Sequence, residues 1–411
     1  MKLLLSFLFS FFFSLSLWAE ASPVVLTKEK RFYPIGLHLD ILEDLSGKLT
    51  INDVTTPKMK DLFKKSTSEN PNLGIGKSVF WIRFKVINED PYSYWIVSNF
   101  FASQDKLAFF RKKGGLWKGS FTGDALKFSS REIKTRGFHF SIRPKGETTY
   151  FFRVEGFSKQ VILSISSAEY LIEEVDKMNL GYGIFLGLSL MMVLYNILLF
   201  FGMREVEEGK DYLYYVGHVL CISLATAIII GPMQRFVSGD FPWFNNQGLI
   251  CLFALSFLFL NIFTARLLHL KQTSPKLYNI SKFWSFLWMT IFLLSPALSF
   301  HHSGIITVFS LFIFSPILAI LVLVGVKNNV KSAKFISAGI MAMILGIIIF
   351  GLTVKGALPS GFWSRNALLI GLVFEMVFLS LGLAINQQEK HFFYSKSMAL
   401  KHNIPREKKE K

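Results

Sequence analysis

Residues 180–202 read LGYGIFLGLSLMMVLYNILLFFG and hold no charged side chain over 23 positions. At about 1.5 Å of rise per residue, a helix of that length crosses a hydrocarbon core of about 30 Å. The stretch divides the chain. On its amino side lies a mostly polar segment with short alternating runs; on its carboxyl side, apolar runs follow one another with short polar loops between them. Composition agrees: of 411 residues, 51% are hydrophobic, only 18% are charged and 44 are Phe, which suits a chain whose second half lies in a membrane.

Working outward toward the carboxyl end, seven apolar runs are predicted to span the bilayer, at about 180–202, 212–233, 248–268, 283–300, 304–326, 334–354 and 366–385. Lys and Arg in short loops set orientation. With the amino-terminal segment outside, the inner loops, span ends and tail carry 16 basic residues; the outer loops carry three, Arg235, Lys355 and Arg365. The net charge of +17 is therefore read as topology, because it forms no single basic stripe and no nucleic-acid partner is expected. Residues 386–411 are basic, suited to anionic headgroups, and too few for a folded output domain.

Outward toward the amino end, residues 1–21, MKLLLSFLFSFFFSLSLWAEA, combine Lys2, an apolar run and a small-residue Ala19-Glu20-Ala21 site. This is a secretory signal peptide with cleavage expected after Ala21, an uncleaved anchor being the alternative. It agrees with the loop charges in placing residues 22–177 outside. That segment alternates short β-type runs with turns. In Phe80–Ile87, FWIRFKVI, Phe80, Ile82, Phe84 and Val86 share one face; Trp81, Arg83 and Lys85 share the other. Further runs fall at 94–98, 106–111, 138–142, 148–154 and 160–166, with turns at Gly114-Gly115, Gly123-Asp124 and 144–146. The expectation is an all-β jelly roll or β-sandwich domain (22–177), then a seven-helix domain (178–385) and a short tail. Cys221 and Cys251 both lie in apolar runs, so no disulfide braces the exported part.

Chemistry is sparse. No phosphate-binding glycine loop, H-E-x-x-H or G-x-S-x-G string occurs, and no cofactor or metal is expected. The histidines at 218, 269, 301 and 302 fall at different depths by this topology, and the last span has no lysine for a retinal Schiff base. Glu375, mid-span in LLIGLVFEMVFLSLGLA, is the strongest intramembrane candidate, with His218 and Asn196 as candidate partners. A carboxyl at that depth must face the bundle interior, either as a switch or as a structural interhelical hydrogen bond. Outside, Trp81, Arg83 and Lys85, with nearby Trp95 and Trp117, would suit a sugar or anionic small molecule, ordinary sandwich packing being the alternative.

Certain strings carry a resemblance. SVFWIRFKVIN (78–88), SQDKLAFFRKKGGLWKGSFTGD (103–124) and TTYFFRVEG (148–156) resemble the extracellular jelly-roll domain of the bacterial seven-transmembrane receptors with diverse intracellular signalling modules (7TMR-DISM). GYGIFLGLSLMMVLYNILLFF (181–201) with DYLYYVGHVL (211–220) resembles that family's opening spans. The resemblance implies a bacterial inner-membrane receptor, periplasmic at its amino end and cytoplasmic at its carboxyl end. Its ligand would be an extracytoplasmic small molecule or glycan. With no output domain in the tail, a separate cytoplasmic signalling protein is the expected partner, and a homodimer is also allowed. The chain itself is expected not to be an enzyme; an intramembrane metal-dependent hydrolase and a transporter-accessory protein are the rival readings.

Overall fold

A computed structural model describes residues 20–89, 94–203, 209–354, 357–358 and 362–402. The expected signal peptide lies outside these residues except for Glu20 and Ala21, as do Arg204, Lys355 and the tail beyond 402.

The amino-terminal half is a sandwich of two sheets. The larger contains β1 (Val24–Leu26), β3 (Asp40–Asp44), β4 (Lys64–Lys65), β6 (Val79–Asn88), β8 (Lys106–Lys113), β9 (Leu116–Thr122) and β11 (Gly146–Glu155), in the order β4-β3-β6-β11-β8-β9 with β1 parallel to the far half of β6. The smaller contains β2 (Phe32–Pro34), β7 (Trp95–Asn99), β10 (Phe138–Ile142) and β13 (Leu163–Ser167), ordered β10-β7-β13-β2. Period-two alternation in β6 sends Ile82, Phe84 and Val86 inward against Val97, Phe138, Phe140 and Ile165 of the facing sheet. Gly114 and Gly115, at φ of 61° and 83°, form the two-residue turn that puts Lys113 opposite Leu116 in the β8–β9 hairpin.

The run expected as one strand over 160–166 is divided. β12 (Ser158–Gln160) pairs with β5 (Asn72–Ile75), then the Val161 N–H donates to the Pro71 carbonyl at 3.0 Å and the chain crosses into the small sheet as β13.

Both outer faces of the sandwich are used. Over the large sheet, residues 50–63 pack Val54 and Phe63 onto Trp81, Phe110 and Phe151. Against the small sheet, the first turns of α1 (Ala168–Met203) bury Leu171 and Val175 on Ile96. This helix starts directly after β13 and runs unbroken through the first span, so residues 169–177, assigned from the sequence to the β domain, are part of the same rod.

Six more long helices follow among the described residues: α2 (Gly209–Ile230), α3 (Leu249–Leu267), α4 (Pro275–Leu294), α5 (Phe300–Lys327), α6 (Lys331–Val354) and α7 (Phe362–His402). With α1 they make, among the described residues, seven helices long and apolar enough to cross a membrane. The fourth is shifted at both ends, beginning at 275 rather than 283 and ending at 294 rather than 300. Pro275 is well placed in a first turn, where its missing N–H costs nothing, and Pro296 cannot donate to the carbonyl four residues back. The bundle core centres on Tyr215, Phe257, Phe263, Trp284, Trp288 and Phe314. The sandwich sits at the end of the bundle that carries the α2–α3 and α4–α5 connections.

Candidate functional site

Three polar places stand out, one in the sandwich, one at its seam with the helices and one inside the bundle.

The first is a groove of about 1340 Å³ on the outer face of the large sheet, continuing round to the end of the small one. Arg83 and Lys85 project from β6 on the face opposite the core, and strand register sets Phe151 and Thr149 beside them. The Arg83 guanidinium donates twice to Asp40 Oδ2, at 3.2 and 3.0 Å, across the β3–β6 pair. It also lies 3.2 Å from Glu20 Oε1, whose other oxygen accepts from Lys85 Nζ at 2.9 Å. Burial works against the Glu20 charge, but the Lys85 hydrogen bond and the Arg83, Lys85 and Lys60 charges outweigh it and hold this carboxyl below its ordinary range. Along the far wall, Lys112 sits 5.2 Å over the Trp117 ring and Arg143 4.7 Å over Tyr94.

Of the five residues the sequence places here, Arg83, Lys85 and Trp117 line the groove. Trp81 lies under it, 1% exposed and tilted against Phe110 at 5.4 Å. Trp95 is elsewhere. It belongs to β7 of the other sheet, faces the inter-sheet core, and donates its indole N–H to Asn88 Oδ1 at 3.2 Å. Alternation assigns parity within one strand; it does not say which sheet a neighbouring strand joins. Asp40, Lys112, Tyr94 and Arg143 escaped the sequence reading, although the RKKGG string at 111–115 marks a basic hairpin tip.

The second place is the seam. Ser103 Oγ donates to the Ile229 carbonyl at 3.2 Å, the Phe128 N–H to Gly239 O at 2.9 Å, and Asn245 Nδ2 to Asp124 O at 3.2 Å. Arg131 donates to the Gln234 side chain and to the carbonyls of Thr135 and Arg136, while Arg136 lies 4.2 Å over the Tyr182 ring. Gly231 turns beneath them at φ 99°, where a Cβ would stand 2.8 Å from that of Arg136. Burial dominates the titration of this cluster. It lowers His139 to about 3, helped by Arg131 and Arg136, and lowers Arg131 to about 10. It raises Asp124 well above its usual value, with the Asp105 charge adding to the effect. His139 is therefore neutral, paired through Nδ1 with Ser98 Oγ at 2.8 Å.

The third place is in the bundle. Glu375 on α7 is fully buried and its Oε1 lies 3.2 Å from His218 Nε2 on α2. His218 Nδ1 faces Ser256 on α3, 2.9 Å from its hydroxyl and 3.1 Å from its carbonyl. Tyr215 donates to the Met376 carbonyl at 2.8 Å. Glu375 Oε2 has no hydrogen-bond partner among the described residues. The structure does not bring Asn196 to this cluster: its side-chain amide donates to Met192 O of its own helix at 2.8 Å. Ser256 and Tyr215 were not legible beforehand, since hydroxyls are common in spans. No group of three or more His, Cys, Asp or Glu side chains placed to hold a metal occurs among the described residues.

With this geometry in place, comparison with known families is direct. Residues 178–386 match the family model described as 7TM diverse intracellular signalling, and residues 36–167 match the 7TMR-DISM extracellular 2 domain. No curated protein matches the chain.

Proposed function

Because the chain belongs to the 7TMR-DISM family, with both its extracellular and seven-helix domains, we propose that it is a signalling receptor of the bacterial inner membrane. In this reading the sandwich faces the periplasm and binds a small molecule or glycan in the basic groove. The seven helices carry the change inward, and a separate cytoplasmic signalling protein reads it; the chain performs no catalysis itself. The observation that supports this most is α1. One unbroken helix packs Leu171 and Val175 into the sandwich and then enters the bundle, so a shift of the sandwich cannot leave the bundle unmoved. A ligand acts by favouring one of two such arrangements.

The test uses the full chain in nanodiscs. A small-molecule and glycan library is screened by thermal shift, where a specific ligand gives a rise that grows with its concentration. Amide exchange is then read at the distal helix ends, 266–282 and 327–334. Altered protection there supports the proposal. A bound ligand that leaves those segments unchanged would sink it.

A further inference from the structure

The groove's chemistry names a ligand class that the receptor reading, on which this inference rests, leaves open. Among the described residues, nine cationic side chains line it against two carboxylates, Glu20 and Glu147. Four of the nine are paired: Arg83 with Asp40 and Glu20, Arg111 with Glu132 at 2.8 Å, Lys85 with Glu20 and Glu147, and Lys60 with Glu20. Lys112, Lys113, Lys118 and Lys145 form no ion pair among the described residues. A wall of like charge is self-repulsive and keeps its place where a counter-charge arrives.

One counter-charge is already on view. The Glu20 carboxylate, which the cleavage expected after Ala21 removes so that its place opens to a ligand, spreads its two oxygens between Arg83 and Lys85, with Lys60 at 3.8 Å. It rests on a fixed base, since the Ala21 N–H donates to Asp40 Oδ1 and Asp40 holds the Arg83 fork. Arg83 is itself 6% exposed, so its free edge is pre-set rather than recruited. Further along, Trp117 and Tyr94 offer ring faces beside cations. At about 1340 Å³ the groove exceeds the usual range of about 300–1,000 Å³ for sites that hold a drug-sized ligand.

We infer that the groove binds an extended ligand bearing several carboxylates, one of which takes the place between Arg83 and Lys85 that the Glu20 carboxylate occupies. Ring faces at Trp117 and Tyr94 pack against its apolar surfaces, and the unpaired lysines meet its other acid groups. Two sources carry this chemistry: an acidic oligosaccharide built from uronate units, or a free small polycarboxylate.

The test is titration of the full chain, in nanodiscs of zwitterionic lipid, with hexagalacturonate, with a neutral hexasaccharide and with citrate. Hexagalacturonate is expected to bind, and to weaken steeply as salt rises, because the groove is open to screening. Lys85→Gln with Lys112→Gln is expected to weaken it by about tenfold or more, the scale of one lost charge-assisted hydrogen bond. Neither lysine holds a buried partner, so the fold survives their loss. Tighter hexagalacturonate than citrate assigns the oligosaccharide source, and equal or tighter citrate the small-molecule source; both support the class. Binding of the neutral hexasaccharide as tight as the acidic one, or acidic binding that ignores the lysine pair, overturns the inference while leaving the receptor reading standing. Absence of binding by either acid overturns it too, and the exchange experiment above then judges the receptor reading separately.

Discussion

The pair Glu375–His218 permits a double-mutant cycle whose outcome the structure constrains. Both side chains are 1% exposed or less, and the contact between them is 3.2 Å. Replacing His218 with Leu leaves Glu375 Oε1 without its partner, beside an Oε2 that has none among the described residues. An unsatisfied buried polar group costs about 1–3 kcal/mol, and a buried ion pair broken on one side about 3–5 kcal/mol. The membrane lowers these figures, because helices separated in lipid also find partners; interhelical hydrogen bonds there average about 0.6 kcal/mol with a maximum near 1.7. His218→Leu is therefore expected to cost about 1–2 kcal/mol, and Glu375→Leu about the same. The double variant removes both polar groups at once, so it should fall short of the sum by about 1 kcal/mol. Glu375→Gln adds a discriminator: an amide oxygen still accepts from His218 if the pair is neutral, whereas loss of an ion pair would cost as much as Glu375→Leu. The assay is reversible unfolding of the full chain in mixed detergent micelles, followed by the fluorescence of Trp284 and Trp288 in the bundle core. Additive single effects, with no coupling beyond about 0.3 kcal/mol, would refute the reasoning, since two side chains sharing one buried contact cannot be independent.

The remaining predictions concern the seam. Leu171→Ala, at a residue 4% exposed beneath β7, should cost about 2–3 kcal/mol locally; limited trypsin digestion should then cut at Lys177 faster than in the wild type, without loss of the sandwich. His139, with its pKa lowered from 6.5 to about 3 in the fold, binds its proton more readily when unfolded. Its contribution to stability is complete above pH 6.5 and is lost at about 1.4 kcal/mol per unit as pH falls toward 3. Asp124, raised by burial, runs the other way and is relieved on acidification, so the readout is a difference: His139→Asn should flatten the acid limb of the thermal-unfolding profile relative to wild type, and an unchanged slope would exclude His139 as its source.

How much of this was legible in the sequence varied with the physics. The seven spans were, because a bilayer demands long uncharged runs and this chain supplies them. β6 was too, because apolar residues alternate strictly at Phe80, Ile82, Phe84 and Val86, although the fold covers both of its faces over 79–84. β3, Asp-Ile-Leu-Glu-Asp, was not: its carboxylates disguise a strand in which Asp40 and Asp44 are buried, one on Arg83 and the other on the N–H groups of Gly47 and Leu49. The intramembrane site was half legible. Glu375 announced itself as a carboxyl at bilayer depth and His218 as a fitting partner, but which of several polar span residues meets it depends on helix rotation, which apolar runs leave undefined. Asn196 shows this: it is fully buried, yet its amide donates to its own helix and its Oδ1 has no hydrogen-bond partner among the described residues.

The polar contacts also divide the bundle into a unit that holds together and a surface along which it can shift. At the seam, α2 ends beneath the sandwich with the Ile229 carbonyl held by Ser103, and Asn245, just ahead of α3, holds Asp124. Midway, His218 of α2 meets Ser256 of α3. At the far end, Asp211 of α2 pairs with Arg266 of α3. These two helices are pinned to each other at the middle and the far end and both are held by the sandwich at the near end, so they move as one piece. Toward them α7 offers Glu375 to His218, Met376 O to Tyr215 and, near its end away from the sandwich, Asn386 to His269. We therefore expect signalling to slide α7 against the α2–α3 pair, by the 1–2 Å or so typical of helix shifts. Spin labels at Leu213 and Leu381, both exposed positions on α2 and α7, introduced with Cys221→Ala and Cys251→Ala, would report that slide by pulsed EPR. A label distance that stays fixed on ligand binding, while the distal helix ends change their exchange, would place the motion elsewhere in the bundle.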